Sequence, residues 1–358
     1  MSLFESVLSR RPAALLGLDI SSSGAKLVEL SQDKSGKLVL ERCAMVSFER
    51  GWIVDGNIEK FEEVVAAVQK AVKKSGTKTK NVALALPPSA VITKKIVLSG
   101  ELSERELEMQ VEIEANQYIP FPLEEVSLDF CVVGPSAAPG DIEVLIAASR
   151  REKVQDISGL AEAVGLKPLV LDVESYASRL AANRLISNRP GNGVDAVVAL
   201  FEVGAMNTSM QVLCNDEVLY DRDQAFGGAQ LTQMLVRHYG FSLEEAEIKK
   251  LSGDLPEDYV SAVLQPFTES LVQEIGRALQ FFFTSTTHNK VDLVLLGGGS
   301  AALPGLKDAV SRQTGFPCAV ANPFEGMTIG SDVRKETLTS EAPSYLTSCG
   351  LAMRRFLQ

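Results

Sequence analysis

Apolar positions along the chain fall into short runs of strand type and longer stretches at helical spacing. Leu15–Ile20 is a short apolar run, Ser21–Gly24 carries turn chemistry, Ala25–Leu30 is apolar again, and Lys37–Ser47 makes a third run. Ile58–Lys74 then places Phe61, Val64, Val65, Val68 and Val72 on one face, which predicts a helix. Val82–Leu86 predicts a buried strand, stopped by Pro87–Pro88.

The character changes from Pro88 to about Gly165. Val91–Leu98 predicts a strand. Ser103 with Glu106 three residues on has the form of a capping box, and behind it Leu107, Val111, Ala115 and Tyr118 trace one helical stripe. Ile119-Pro120-Phe121-Pro122 ends that helix, because proline cannot continue it. Val126–Val133 and Glu143–Ala148 read as paired strands and Lys153–Val164 as a helix, so this stretch has the look of an inserted module. Leu169–Val173 is another strand, with a helix from Ser175 to about Ile186. The segment Ser187–Gly193 is the best linker in the chain and sets the main boundary.

The second half restarts the first pattern. Ala196–Val203 predicts a buried strand, Gly204–Asn207 a turn, and Ser209–Cys214 and Glu217–Asp223 two more strands. A helix starts after Gly227-Gly228, and a long one runs from about Pro266 to Thr284. Leu293–Leu296 is a strand entering Gly297-Gly298-Gly299, followed by helices around Leu306–Thr314 and Ser344–Phe356.

Composition narrows the function classes. The chain has 358 residues, enough for about two domains. Its net charge of −11 argues against non-specific nucleic-acid binding, which needs clustered Lys and Arg. The short basic runs Arg10-Arg11, Lys73-Lys74, Lys94-Lys95 and Arg354-Arg355 read as solvated faces. Cys43, Cys131, Cys214, Cys318 and Cys349 are scattered and odd in number, which predicts reduced thiols in a cytosol. With only His238 and His288, a zinc or triad enzyme is not expected. No apolar run approaches the roughly 18 residues that span a bilayer. Met1–Arg11 could form one amphipathic helix with Leu3, Phe4, Val7 and Leu8; it is too short to bind a membrane strongly by itself, and reads as a loosely held terminus.

The chemistry lies in an internal repeat. Leu16-Gly17-Leu18-Asp19-Ile20-Ser21-Ser22-Ser23 matches Ala199-Leu200-Phe201-Glu202-Val203-Gly204-Ala205-Met206 in pattern: an apolar strand, an acid, a β-branched residue and small residues. The two acids stand 183 residues apart, one in each half. Small residues in a tight hairpin let backbone N–H groups approach a phosphate, and serine hydroxyls add donors. A carboxylate beside phosphates is tolerated when hydrated Mg²⁺ sits between them. Lys26 is a candidate phosphate cation. A third element, Gly297-Gly298-Gly299-Ser300, lies between a strand and a helix, where a nucleoside could rest against the backbone. Its consecutive glycines and late position do not fit the Rossmann fingerprint.

These motifs, in this order, resemble the phosphate-1, phosphate-2 and adenosine motifs of the actin, Hsp70 and FtsA superfamily, and within it the PilM family of FtsA-like type IV pilus assembly proteins. Gly17-Leu18-Asp19-Ile20-Ser21-Ser22, Ile119-Pro120-Phe121-Pro122-Leu123-Glu124-Glu125, Phe226-Gly227-Gly228 and Glu244-Glu245-Ala246-Glu247 carry the likeness. So do Leu279-Gln280-Phe281-Phe282-Phe283, Gly297-Gly298-Gly299, Ala321-Asn322-Pro323-Phe324 and Cys349-Gly350-Leu351-Ala352-Met353-Arg354.

The resemblance implies an α/β, actin-like fold, a duplicated core of ribonuclease-H type with an FtsA-type inserted subdomain. It divides the chain into an N-terminal segment 1–12, a first core of 13–87 plus 166–190, the inserted subdomain 88–165, a second core of 191–235 plus 290–358, and a helical subdomain 236–289. It implies ATP or ADP with Mg²⁺. Asp19, Ser21, Ser22, Ser23 and Lys26 would form the first phosphate loop; Glu202, Gly204, Ala205 and Asn207 the second. Asp19 and Glu202 would hold Mg²⁺ through water. Gly227, Gly228, Glu247 and Lys250 would lie near the ribose and base, with Gly297, Gly298, Gly299 and Ser300 closing over the nucleoside. The implied partners are the cytoplasmic N-terminal peptide of PilN, other pilus machinery at the inner membrane and a possible second copy of the chain. The implied location is cytoplasmic, peripheral at the inner membrane.

The second loop departs from the family's Asp-x-Gly: it reads Glu202-Val203-Gly204, with Met206 where Thr is usual. About 1 Å of misplacement can cost roughly 100-fold in rate, so at most weak ATP hydrolysis is expected. A small-molecule kinase or a filament-forming protein on the same fold are the alternatives. Phe281-Phe282-Phe283 is expected to pack inside, Tyr118–Leu123 reads equally as a helix stop or a partner surface, and Trp52 has no assigned role.

Overall fold

The structure, a computed structural model, describes residues 13–357, and the Met1–Arg11 segment, read as a loosely held terminus, lies outside the described residues. The first half contains β1 (Leu16–Ser21), β2 (Gly24–Gln32), β3 (Leu38–Ser47), a small ribbon of β4 (Ile53–Val54) and β5 (Asn57–Ile58), α1 (Phe61–Ser75) and β6 (Asn81–Leu86). It continues through β7 (Val91–Ser99), α2 (Glu104–Tyr118), β8 (Val126–Pro135), β9 (Asp141–Arg150), α3 (Arg151–Ala163), β10 (Lys167–Val173) and α4 (Glu174–Ser187). The second half contains β11 (Val198–Val203), β12 (Thr208–Cys214), β13 (Glu217–Gln224), α5 (Gly228–Tyr239), α6 (Leu243–Ser252) and α7 (Gln265–Ser285). It ends with β14 (Leu293–Gly297), α8 (Leu306–Thr314), β15 (Cys318–Val320), β16 (Thr328–Ile329), α9 (Lys335–Glu341) and α10 (Leu346–Met353).

Two sheets repeat one topology. The first has the order β10-β6-β1-β2-β3-β16 and the second β13-β12-β11-β14-β15. In each, three antiparallel strands are followed by two that run parallel to the first: β6 and β10 beside β1, β14 and β15 beside β11. β16, from late in the chain, pairs parallel with β3 and so extends the first sheet. The repeat read from the two acid-bearing runs is therefore a repeat of the whole strand order.

Helices fill the faces. α1 and α3 cover one side of the first sheet, with Val64, Val68, Ile157 and Leu160 against Leu16, Leu18, Val82 and Leu84. α5, α7 and α8 cover the outer side of the second sheet. Between the sheets lie α4 and α10, whose Ala181, Leu185, Leu346 and Cys349 meet Val28 and Leu30 of the first sheet and Leu200 and Leu295 of the second. Each buried leucine of this kind contributes about 1.5–3 kcal/mol. The approach is close enough to exclude side chains. A Cβ at Gly17 would stand 2.0 Å from the Ser348 carbonyl, and one at Gly350 would stand 1.7 Å from the Ala177 carbonyl.

Within 88–165, residues 91–150 form a separate three-stranded sheet, ordered β7-β9-β8, covered on one face by α2 through Leu107, Val111 and Ala115, whereas α3 packs on the first sheet. The expected cap is present: Glu106 Oε2 accepts from Ser103 N at 2.9 Å and from Ser103 Oγ at 2.6 Å. α2 stops at Tyr118, as Ile119-Pro120 requires.

Some elements differ from expectation. The helix expected from Ile58 begins at Phe61, because Ile58 pairs with Ile53 in the ribbon. Ser344–Phe356 is broken into a 3₁₀ turn, α10 and a second 3₁₀ turn. Of the three phenylalanines, Phe282 is fully buried, but Phe281 is 47% exposed with the Arg222 guanidinium 3.9 Å from its ring centroid. Trp52 packs on Phe48. Among the described residues no helix is long and apolar enough to cross a membrane.

Candidate functional site

The two acid-bearing hairpins occupy equivalent places. Asp19 lies opposite Lys26 in the β1–β2 register, and Glu202 lies opposite Ser209 in β11–β12. The first hairpin thus carries its own counter-charge. Lys26 Nζ is 2.8 Å from Asp19 Oδ2 and donates to Ser21 Oγ at 2.8 Å, with Asp19 and Lys26 both buried. Ser21 Oγ also meets Ser23 Oγ at 3.2 Å, and Ser22 and Ser23 form the turn. Lys26, read from the sequence as a phosphate cation, is thereby engaged with Asp19.

The second hairpin has no such cation. Glu202 is held by the hydroxyls of Ser178 on α4 and Thr347 on α10. Burial pushes its carboxyl up to about 7; the Ser178 hydrogen bond opposes this, and nearby Asp19 adds to it. A third carboxyl, Glu174, stands at the first position of α4. Burial pushes it up to about 8, reinforced by the negative charge of Asp19 and then Glu202. Asp19, Glu174, Glu202 and Lys26 therefore act on one another's charge where the two halves face each other, and Asp223 acts on Glu174 as well. Among the described residues no three carboxyl, thiol or imidazole groups converge tightly enough to hold a metal ion directly.

Glu174 escaped the sequence reading. It follows an apolar strand directly, as Asp19 and Glu202 do within theirs, but no small-residue turn follows it. The acid at a strand end was the available signal.

Backbone close to Glu202 is built for near approach. Gly204 N donates to Asn207 O at 2.9 Å, closing the second loop. The loop is bonded to the start of α5, since Gly228 N donates to Gly204 O at 2.9 Å and Ala229 N to Ala205 O at 2.8 Å. Two N–H groups that a helix start leaves free are satisfied in this way. A Cβ at Gly227 would lie 2.6 Å from both of those carbonyls, and one at Gly228 would lie 2.9 Å from Ser300 Oγ.

The third motif packs on the same strand. Gly297 pairs with Glu202, and Ser300 N donates to Val203 O at 3.2 Å. Gly298 has φ +84°, and a Cβ there would meet the Val203 carbonyl at 2.5 Å. Gly299 faces Ser344. Glu247 and Lys250 form an ion pair at 2.7 Å on α6; Thr232 Oγ1 donates to Glu247 Oε2 at 2.6 Å and accepts from Lys250 Nζ at 2.8 Å, and it stands 3.3 Å from Gly228 O. The structure thus brings the named residues into two linked groups. One is Asp19, Ser21, Ser23 and Lys26 with Glu202; the other joins Gly204, Ala205, Gly227, Gly228, Ser300, Glu247 and Lys250.

The sequence profile described as "Type IV pilus assembly protein PilM" matches residues 17–356, nearly the whole chain. The chain belongs to the PilM family. Among solved structures it is similar to the "PilM-PilN type IV pilus biogenesis complex", at 28% identity and a TM-score of 0.77, covering 96% of this chain and 99% of that one. It is also similar to the ethanolamine utilization protein EutJ from Carboxydothermus hydrogenoformans, at 15% identity and a TM-score of 0.58, covering 96% and 90%. A diol dehydratase-reactivating factor in nucleotide-free form matches at 11% identity and a TM-score of 0.53, covering 96% and 99%. The last two show the fold alone. The family resemblance drawn from the ordered motifs holds, and the fold is actin-like.

Proposed function

We propose that this chain is an ATP- or ADP-binding scaffold of a type IV pilus assembly complex, and that it holds the cytoplasmic N-terminal tail of PilN. Its likeness to the PilM–PilN complex over almost the full length supports the partner. Supporting the nucleotide is the approach of the two hairpin acids to each other, beside glycines at which any Cβ would collide with backbone.

The residues present fit a nucleotide with Mg²⁺. Among the described residues no carboxyl cluster holds a metal ion directly, which suits Mg²⁺, a cation that keeps several of its waters when carboxylates are few. Asp19 and Glu202 would hold it through water; Ser21, Ser22, Ser23, Gly204, Ala205 and Asn207 would surround phosphates. Gly227, Gly228, Glu247, Lys250 and Gly297–Ser300 would frame the nucleoside. Bound there, Mg²⁺ would offset charge between the acids and the phosphates, and the nucleotide would touch both halves.

Hydrolysis is weak or absent on this reading. Glu174, raised to about 8, holds its proton at neutral pH, and Glu202 is longer than the usual Asp; neither is well placed to act as a base. The protein stays at the cytoplasmic face of the inner membrane through its partners.

The test is calorimetry of the purified full chain with a peptide of the partner's cytoplasmic N-terminus, with and without Mg·ATP. Saturable one-to-one binding of both ligands is expected, with turnover below that of competent ATPases. Absence of peptide binding, or rapid turnover abolished by Glu202→Ala, would falsify the scaffold reading.

A further inference from the structure

Residues 64–100 hold seven lysines and no acid, in a chain with 46 acidic residues. The fold gathers five of these lysines with a sixth from elsewhere. Lys70, Lys73 and Lys74 lie near the end of α1 at spacings that place them on one face. Lys78 and Lys80 occupy the loop from α1 to β6. Lys167 opens β10, and its N–H donates to the Lys80 carbonyl at 2.7 Å. All six are exposed.

Among the described residues none of the six forms an ion pair. Lys74 Nζ donates to the Met45 carbonyl at 3.1 Å. Glu29, the acid bonded to this loop, accepts from the hydroxyls of Thr77 and Thr79, both at 2.7 Å. Lys73-Lys74, read from the sequence as an ordinary solvated face, thus belongs to a larger basic surface.

Its place in the fold is definite. β1, β6 and β10 are parallel and start at this end. They run toward Asp19 near the end of β1 and Glu174 just past the end of β10. The lysines therefore sit at the opposite end of the first sheet from the carboxyls.

We propose that this lysine face docks on the surface of an anionic phospholipid bilayer. Without these six lysines the net charge of −11 would be −17, so the rest of the chain is on balance repelled by an anionic surface while this face is attracted. The composition fits lipid better than an acidic protein. Protein interfaces favour arginine and aromatic residues at their centre and are depleted in lysine. Residues 64–80 contain no arginine and no aromatic residue, and Arg42, which donates to the Ser75 carbonyl at 3.1 Å, is already paired with Asp332. Lysine ammoniums are hydrated point charges on flexible stems, suited to a fluid array of phosphates and not to fixed bidentate partners. Leu169, 50% exposed two residues beyond Lys167, adds a single apolar side chain, too little for hydrophobic docking. Docked this way, the chain presents its carboxyl cleft away from the membrane. The inference rests on the lysine face and stands whether or not the cleft binds nucleotide.

Cosedimentation of the full chain with phosphatidylcholine vesicles, with and without about one third phosphatidylglycerol, tests it. Each lysine near an anionic surface contributes roughly a fivefold factor. The quadruple variant Lys70→Glu, Lys73→Glu, Lys74→Glu, Lys78→Glu should therefore bind anionic vesicles at least about 100-fold more weakly. Wild-type protein should bind the anionic vesicles only, and release as salt rises to about 300 mM, where the screening length shrinks. A Lys290→Glu, Lys307→Glu variant, altered in the second half, should bind as wild type does. Should the glutamate variant melt early, glutamines at the same four positions remove the charge with less disturbance and should also lose binding. No wild-type binding to anionic vesicles overturns the proposal, as does full binding by the glutamine variant. Capture by polyglutamate without vesicle binding overturns it in favour of an acidic protein.

Discussion

Glu174 gives the sharpest prediction. In the unfolded chain its carboxyl has an ordinary value of 4.5; in the folded chain burial and the neighbouring acids raise it to about 8. Between those values the folded state holds a proton that the unfolded state has released. Stability therefore falls as pH rises, by about 1.4 kcal/mol per pH unit from this group. From about pH 5.5 to about pH 7.5 the loss is roughly 2–3 kcal/mol. Glu174→Gln keeps the shape and removes the titration. Unfolding entropy of about 2 cal/mol/K per residue gives ~0.7 kcal/mol/K for a chain of this length. The variant should thus gain roughly 3–4 °C in Tm over wild type on moving between those pH values, whatever its offset at the lower pH. Glu202, also raised, is present in both proteins and shifts both curves in the same direction. The assay is thermal melting by circular dichroism of nucleotide-free protein across that pH range. Parallel curves for the two proteins would show that Glu174 is ionised in the fold, and the account of the cleft's charge would be wrong.

Two further outcomes follow from glycines. Gly227→Ala places a methyl 2.6 Å from the Gly204 and Ala205 carbonyls, so it should push the second loop off α5. ATP affinity by calorimetry should drop at least about tenfold, with a Tm change of only a few degrees. Gly350→Ala meets the Ala177 backbone at 1.7 Å, where no rotamer offers relief. Denaturant unfolding should show a loss at or above the roughly 1–3 kcal/mol usual for overpacking.

Much of the cleft was legible because an acid at a strand end interrupts an otherwise apolar run. That interruption is visible in one dimension, as at Asp19 and Glu202. The triple glycine was legible for a similar reason, standing between a strand and a helix. The pairing of Lys26 with Asp19 was legible in principle: a two-residue turn at Ser22-Ser23 puts residues 19 and 26 opposite each other. Glu174 carried too little local signal, since its neighbours Asp19 and Glu202 are far away in sequence. β16 was hidden for the same reason. Two residues make no periodic pattern, and only the distant edge of β3 makes Thr328–Ile329 a strand. The lysine face needed Lys167 brought beside Lys80, which strand pairing does and spacing does not.

The close seat of α10 bears on the order in which the molecule can be made. β1 leaves the ribosome among the first residues of the fold, yet Gly17 is shaped to receive the backbone at Ser348. α4 likewise leaves a recess at Ala177 for Gly350. A nascent chain therefore carries that face of its first sheet covered by α4 alone until α10 has been made. Contacts of such sequence separation slow folding, and exposed apolar strands invite association meanwhile. The first core behaves as a vessel whose lid arrives last, and a chain cut short before α10 would remain open on its first-made side.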